Sequence, residues 1–418
     1  MGENRFSVVQ ILVKEKVEEG YQKCLRTFIC INENDIKIPH PISNFLRQKY
    51  ENKSLEPNTV KVYAEVLKGF LNYIYASVDP KLESVKKNGI VELNADHAIM
   101  YINSLSYKYK KEELKANTVL SQMRVLSSFF IWLHKQNFIG YEAFEYSIEK
   151  INIMGRTIER IDSPISYDKL DLVLPKRDSK RTIRRRKRHD FGKGRIDLAN
   201  LFIEISKEIA PEITLGIAFQ IYGGLRKGEV INLLNSSFNK NKYKTNEPMV
   251  VYIKDNWDIL FSYRKFDPAD QVKVGRDQII LQTSYIHSIY QNHLIQLERI
   301  NKKIGPSKAL FRSYTNGKAI GGRSYQNKFN KVKAKFLEVL LEESKLEEYH
   351  FLTSKSWSTH IGRGIFTNIL YFNLKLSHEE VALLRGDSFT FSSEHYLEES
   401  NLLDIANKCI ELLSISGD

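Results

Sequence analysis

Apolar and polar positions fall into blocks of different period along this 418-residue chain. In Phe6–Lys16 (FSVVQILVKEK) and Cys24–Asn32 (CLRTFICIN), β-branched and aromatic residues crowd together. That composition predicts two strands joined by a polar stretch. Pro39 and Pro41 break the pattern. From Ile42 to about Ile139, apolar residues return every three or four positions, the period of a helix. Two stretches there open alike: NTVKVYAEVLKGFLNYI from Asn58 and NTVLSQMRVLSSFFIWL from Asn117. The first carries Val62, Val66, Leu67, Phe70 and Ile74 at helical spacing, and the second Val125, Leu126, Phe129 and Leu133. In each, an Asn or Thr is placed to cap the first free backbone N–H groups. An internal duplication and two ordinary amphipathic helices with similar caps fit this equally.

From about Ile151 to Arg195 clear periodicity fades, which predicts a linker with some local structure. Helical patterns resume at Ile196 (DLANLFIEISKEIA, ITLGIAFQIYG). A β-rich interval follows, with MVVYIKD, DILFSYRKF and VKVGRDQIIL as strands between polar or Pro-containing turns. The last third is again helical. The expected class is mainly α with a small antiparallel β-sheet. Four parts are predicted: a strand module over 1–40, a helical bundle over 41–150, a linker over 151–195 and a mixed α/β domain over 196–418.

Composition narrows the class. Hydrophobic residues at 42% and aromatics at 11% suffice to build real cores, against the signature of disorder. No apolar run reaches the roughly 18–20 residues of a membrane span, and MGENRFSVVQ has no secretory pattern. Three cysteines (Cys24, Cys30, Cys409) lack metal-ligand spacing and fit a reducing cytosol. The expectation is a cytoplasmic protein with no membrane partner. The formal charge is +13, and placement matters more than the total. Lys180–Arg195 reads KRTIRRRKRHDFGKGR, nine basic residues with one acid. Its centre is Arg184, Arg185, Arg186, Lys187 and Arg188. Three readings stand open: a solvated, self-repelling linker, a nuclear localisation signal, and an arm along a phosphate backbone.

No metal box, P-loop or G-x-S-x-G elbow is present, and no metal or cofactor is expected. Basic and hydroxyl residues instead sit at predicted element ends. Arg226 lies in IYGGLRKGEVINLL, where Gly223 and Gly224 end one helix and Glu229 lies in the next. His360 and Arg363 lie in STHIGRGIFTNIL, spaced to share a helical face, with Ser358 or Thr359 as the expected cap. Tyr396 lies in RGDSFTFSSEHYLEES, just before a last amphipathic helix. Singly, each has an ordinary structural explanation: an Arg paired with Glu229, a satisfied His, a packing Tyr.

Together, in this order, they resemble the catalytic domain of the tyrosine recombinase, or phage-type integrase, family. The family pattern is G-L-R-x-x-E, a hairpin Lys, H-x-x-R, an L-x-G-H or L-x-G-W turn, and a Tyr nine residues beyond. Gly224-Leu225-Arg226 with Glu229 matches the first box, and His360 with Arg363 the third. Leu384-Arg385-Gly386-Asp387 matches the turn except at Asp387, and Tyr396 follows at the family interval. The strand register selects Lys273 as the hairpin lysine, with Lys265 on the preceding strand as the fallback. The likeness is strong over 196–418 and looser over 42–150.

The resemblance implies cutting and rejoining of double-stranded DNA through a covalent 3′-phosphotyrosine, without metal or ATP. Tyr396 would be the nucleophile, Lys273 the general acid, and His360 a proton acceptor or phosphate donor. Arg226 and Arg363 would clamp the phosphate oxygens, a geometry that guanidinium suits. Asp387 would stand where the family has His or Trp, near another anion unless it is protonated or turned towards Arg385. Arg184–Arg188, Lys61, Lys68 and Arg124 would meet the duplex. By the same resemblance the C-terminal helix couples a homotetramer on DNA, with DNA-bending proteins as accessories. Richness in Lys, Ile, Asn and Tyr fits an AT-rich bacterial source and a nucleoid-associated protein. A DNA-binding regulator that keeps the fold without the chemistry is the alternative, favoured by Asp387. A type IB topoisomerase fits the helical bundle and the turn spacing less well.

Overall fold

A computed structural model describes residues 5–17, 20–50, 57–153, 156–165, 190–239, 244–272, 274–386 and 399–415. The chain divides into two compact units, Met1–Ser179 and Lys180–Asp418.

In the first unit, strands β1 (Phe6–Val17), β2 (Gly20–Glu33) and β3 (Ile36–Pro39) form an antiparallel sheet in that order. The third strand is additional to the pattern read from sequence. Asn34 and Asp35 turn the chain between β2 and β3 with φ of 47° and 65°, a conformation that Asn and Asp tolerate better than most residues. Helices α1 (Ser43–Lys49), α2 (Pro57–Ala76), α3 (Glu83–Asn88), α4 (Ala95–Lys110) and α5 (Ala116–Lys135) follow. Phe6 and Ile29 of the sheet share one core with Phe45, Leu67, Phe70 and Phe129 of these helices. Polar side chains fasten the sheet to them. Asn72 accepts from the Phe6 N–H at 2.9 Å and donates to its carbonyl at 3.1 Å. Ser43 does the same for Ile29, at 3.0 and 3.2 Å. The Ile29 carbonyl also accepts from the His40 N–H at 2.8 Å, so these strand groups are paired where the sheet meets the helices.

The two similar sequence stretches form α2 and α5. In α5, Val125, Leu126, Phe129 and Leu133 are all buried, as the spacing predicts. In α2 the buried stripe runs through Val60, Ala64, Leu67, Phe70 and Ile74, and Val62 is 55% exposed. The caps also differ from expectation. Helix α5 starts at Ala116 with Lys115 as an N-cap that makes no side-chain bond, so Asn117 lies inside the first turn. Asn58 likewise follows Pro57, the first residue of α2; Pro suits that place because its missing N–H would have no helical partner. Beyond α5, β4 (Ser147–Ile153) and β5 (Arg156–Asp162) pair antiparallel, with Ile148 opposite Ile161 and Ile151 opposite Ile158. This part of the expected linker is therefore a hairpin.

In the second unit, α6 (Ile196–Ile209) leads into α7 (Pro211–Gly223), in which every residue from Glu212 to Gly223 is buried. A helix that is apolar all round belongs at the centre of a core. After α8 (Lys227–Ile231), β6 (Met249–Ile253) pairs antiparallel with β7 (Arg276–Ile280), Met249 opposite Ile280 and Ile253 opposite Arg276. The expected middle strand DILFSYRKF is not one. The short helix α9 (Trp257–Leu260) stands there, because Trp257, Leu260 and Phe261 recur at the spacing of one helical turn and all three are buried. Lys265 therefore lies exposed in a long connection rather than on a strand. That connection is pinned at Asp270, fully buried, which accepts from Arg264 Nη2 at 2.6 Å and from the Gly322 N–H at 2.7 Å.

Helices α10 (Ser284–Ile304), α11 (Gly322–Glu342), α12 (Leu346–Thr353), α13 (Ile361–Asn368), α14 (His378–Leu384) and α15 (Glu399–Ile415) complete the unit. Ala406, Cys409, Ile410 and Leu413 of α15 are buried in the same core as α7. The chain is thus mainly helical with small antiparallel sheets. Among the described residues no helix is long and apolar enough to cross a membrane.

Candidate active site

The site begins at the end of α7. Gly224 takes the left-handed conformation (φ 64°, ψ 20°) that closes the helix, and glycine adopts it without the penalty of a Cβ. A Cβ there would also stand 2.6 Å from Phe366 Cδ1. Gly224→Ala is expected to lower stability by about 2–3 kcal/mol, from left-handed strain and the clash together. Urea denaturation followed by tryptophan fluorescence checks this; an unchanged midpoint would contradict it.

The left-handed turn swings the chain so that Arg226 becomes the N-cap of α8. Glu229 accepts from the Arg226 N–H at 2.7 Å and from its Nη1 at 2.8 Å, so the acid folds back over the helix start and holds Arg226 at two points. The Glu229 side chain is only 1% exposed, that of Arg226 33%. Arg276, at the start of β7, adds two further bonds to the same carboxylate, Nη1 to Oε1 at 2.5 Å and Nη2 to Oε2 at 3.0 Å. Burial alone would raise the Glu229 pKa; the hydrogen bonds and charge of Arg276, then those of Arg226, overcome it and hold the carboxyl below its usual value.

Arg363 reaches the same turn from α13. It is 2% exposed. Its Nη1 donates to the Gly224 carbonyl at 2.6 Å, and its Nη2 to the Arg385 carbonyl at 2.9 Å. One residue earlier, the Leu384 carbonyl accepts from Gln278 Nε2 at 2.6 Å, and Gln278 Oε1 accepts from Arg276 Nε at 3.1 Å. The bonds close a ring: Arg226, Glu229, Arg276, Gln278, the end of α14, Arg363, and back to Gly224. Gly386 closes the corner with φ 59°, and a Cβ on it would lie 2.7 Å from Arg276 Nε. Two guanidiniums, Arg226 and Arg276, thus share one carboxylate, and a third, Arg363, bonds the Gly224 carbonyl of the same turn, a net positive turn on which an anion is favoured.

Of the residues singled out in sequence, Arg226 and Arg363 are brought to one turn. His360 is the N-cap of α13 and is exposed, whereas Arg363 three residues on is buried, so the two side chains have different surroundings despite their spacing. Neither Ser358 nor Thr359 caps the helix: Thr359 is buried, and its hydroxyl donates to Gln326 Oε1 at 3.3 Å. Lys273, Asp387, Tyr396 and the run Arg184–Arg188 lie outside the described residues.

In the first unit, Lys61 lines a groove of about 760 Å³ between α2 and α5, with Asn58, Asn117 and Gln122. Lys68 pairs with Glu65 one turn away, and Arg124 is exposed. Arg276 and Gln278 are the residues that sequence reasoning missed. Neither carried a signal in the sequence, since one guanidinium already neutralises Glu229 and the contact with Arg276 spans 47 residues.

No protein-family model and no curated protein matches this sequence. Among solved structures, the chain is similar to the XerA recombinase, with 14% identity, a TM-score of 0.32, and coverage of 87% of this chain and 95% of that one. It is similar to a lambda integrase dimer bound to a COC′ core site, at 11% identity and a TM-score of 0.47, over 85% of this chain and 95% of that one. The Tn1549 transposon integrase in complex with transposon right end DNA gives 14% identity and a TM-score of 0.46, over 89% of this chain and 99% of that one. At these scores none of the three likenesses assigns a role to any residue here.

Proposed function

We propose that this chain is a site-specific DNA recombinase of the tyrosine type, cutting and rejoining double-stranded DNA through a 3′-phosphotyrosine. The observation that carries the reading is the hydrogen-bonded ring that brings Arg226 and Arg363, 137 positions apart in sequence, to a single turn. In this reading the scissile phosphate sits on the outward part of Arg226, whose guanidinium donates paired bonds to its non-bridging oxygens. Arg363 fixes the turn from behind and adds positive charge. The Tyr396 hydroxyl attacks phosphorus, the P–O5′ bond breaks, and Lys273 gives the departing 5′-oxygen its proton. His360, exposed at its helix start, accepts the phenol proton or bonds the phosphate. The ester keeps the bond energy, so a 5′-hydroxyl can reverse the step without ATP. Preorganised donors of this kind are each worth several kcal/mol in a transition state.

Arg184–Arg188, with Lys61, Lys68 and Arg124, are assigned to the phosphate backbone. For assembly we propose a monomer in isolation and a tetramer on DNA. The α15 face of Ala406, Cys409, Ile410 and Leu413 already lies in its own unit's core, so that face needs no second copy to cover it. Sedimentation is expected to give a monomer at micromolar concentration without DNA; a DNA-free tetramer would contradict this.

One observation favours the second reading, a DNA-binding regulator. Arg363 is 2% exposed and spends both terminal nitrogens on backbone carbonyls, as a purely structural arginine would. A nicked suicide DNA substrate on a denaturing gel separates the two. A covalent protein–DNA band supports the recombinase. A salt-sensitive mobility shift with no such band leaves the regulator.

A further inference from the structure

We propose that Arg276 is a positioning residue for strand transfer, taking up the charge of Glu229 so that Arg226 keeps its own for the phosphate. The inference rests on the recombinase reading above. Glu229 is needed where it is, because it fixes both the backbone N–H and one Nη of Arg226. Alone, that placement defeats itself. A carboxylate buried at hydrogen-bond distance from a single guanidinium forms a neutral pair, and in low dielectric its field cancels much of the cation's attraction for an anion beyond it.

Arg276 removes the conflict. It binds Glu229 through both terminal nitrogens, whereas Arg226 contributes one side-chain bond. Among the described residues, Nε and Nη2 of Arg226 have no protein acceptor, and its side chain remains 33% exposed against 13% for Arg276. The outer arginine therefore offers its free edge while the inner one balances the acid. Arg276 is itself held by Gln278 and by the close approach of Gly386. Its position is set by the backbone turn that also receives Arg363, so charge balance and phosphate-site geometry are built by the same residues.

The test measures the cleavage rate on the nicked suicide substrate for four variants, with thermal midpoint and DNA mobility shift recorded for each. Arg276→Gln is expected to cleave about 10²–10³-fold more slowly, as if one oriented bond from Arg226 to the developing anion were lost, with DNA binding retained. Arg276→Lys, which keeps the charge and loses the bidentate geometry, is expected to cleave at a rate between those of Arg276→Gln and the parent. The double change Glu229→Gln with Arg276→Gln is expected to recover at least about tenfold over Arg276→Gln, since a neutral amide still accepts from Arg226 without cancelling it. Glu229→Gln alone serves as the fourth corner of the cycle. A merely structural Arg276 predicts no recovery, because the double change removes more native bonds. If the parent protein gives a covalent band, two results overturn the role of Arg276 alone: Arg276→Gln cleaving at the parent rate, or a double variant no faster than Arg276→Gln. If the parent gives no band, the recombinase reading falls and this role with it.

Discussion

Replacing Tyr396 with Phe is expected to abolish the covalent protein–DNA band while leaving DNA binding in place. The substitution keeps the ring and its packing and removes only the hydroxyl oxygen that would attack phosphorus. Loss of an attacking group costs at least about 10³-fold in rate, which brings the band to background on a denaturing gel. The mobility shift should persist, and its dependence on log salt should keep the parent slope, because that slope counts neutralised phosphates and Tyr396 neutralises none. A band that survives in Tyr396→Phe would mean that a different residue, or a different chemistry, makes the adduct.

The largest stability effect is expected at Glu229. Glu229→Ala removes the one carboxylate that Arg226 and Arg276 share, leaving Arg276, 13% exposed, beside another guanidinium with no counter-charge. Breaking a buried pair in this way costs about 3–5 kcal/mol. It also predicts a pH dependence. The folded-state pKa of Glu229 lies below its usual value of 4.5. Its contribution is therefore complete above the unfolded pKa and fades as pH falls through the folded one. Between neutral pH and acid, the parent should lose more stability than Glu229→Gln, whose amide does not titrate. Urea midpoints at several pH values check both statements. Equal acid sensitivity in parent and variant would show that Glu229 is not held ionised by its arginines.

How much of this was legible in the sequence depends on the range of the interaction. Local rules read α5 correctly, and Val125, Leu126, Phe129 and Leu133 are buried as the 3.6-residue period requires. The same rules placed Val62 inside although it is 55% exposed, since an apolar residue near a helix start can fall off the stripe without disturbing the count. The segment after β6 misled because DILFSYRKF satisfies a strand's composition, and only the Trp257–Leu260–Phe261 spacing betrays the helical turn. The meeting of the Arg226 turn with Arg363 was implied by family resemblance, and no spacing rule contains it. Arg276 was out of reach for the same physical reason. Its partner Glu229 lies 47 residues away in sequence, and burial of that carboxylate is decided by how α8, β7 and α14 pack together.

The most direct test maps the adduct itself. The parent protein is trapped on a nicked suicide duplex, digested with trypsin, and the nucleotide-bearing peptide is sequenced by mass spectrometry. The expected result is a 3′-phosphonucleotide on the peptide containing Tyr396, at the tyrosine oxygen. A nucleotide attached elsewhere, or linked through a 5′-phosphate, would contradict the assembly of Arg226, Arg363 and Tyr396 around one scissile bond.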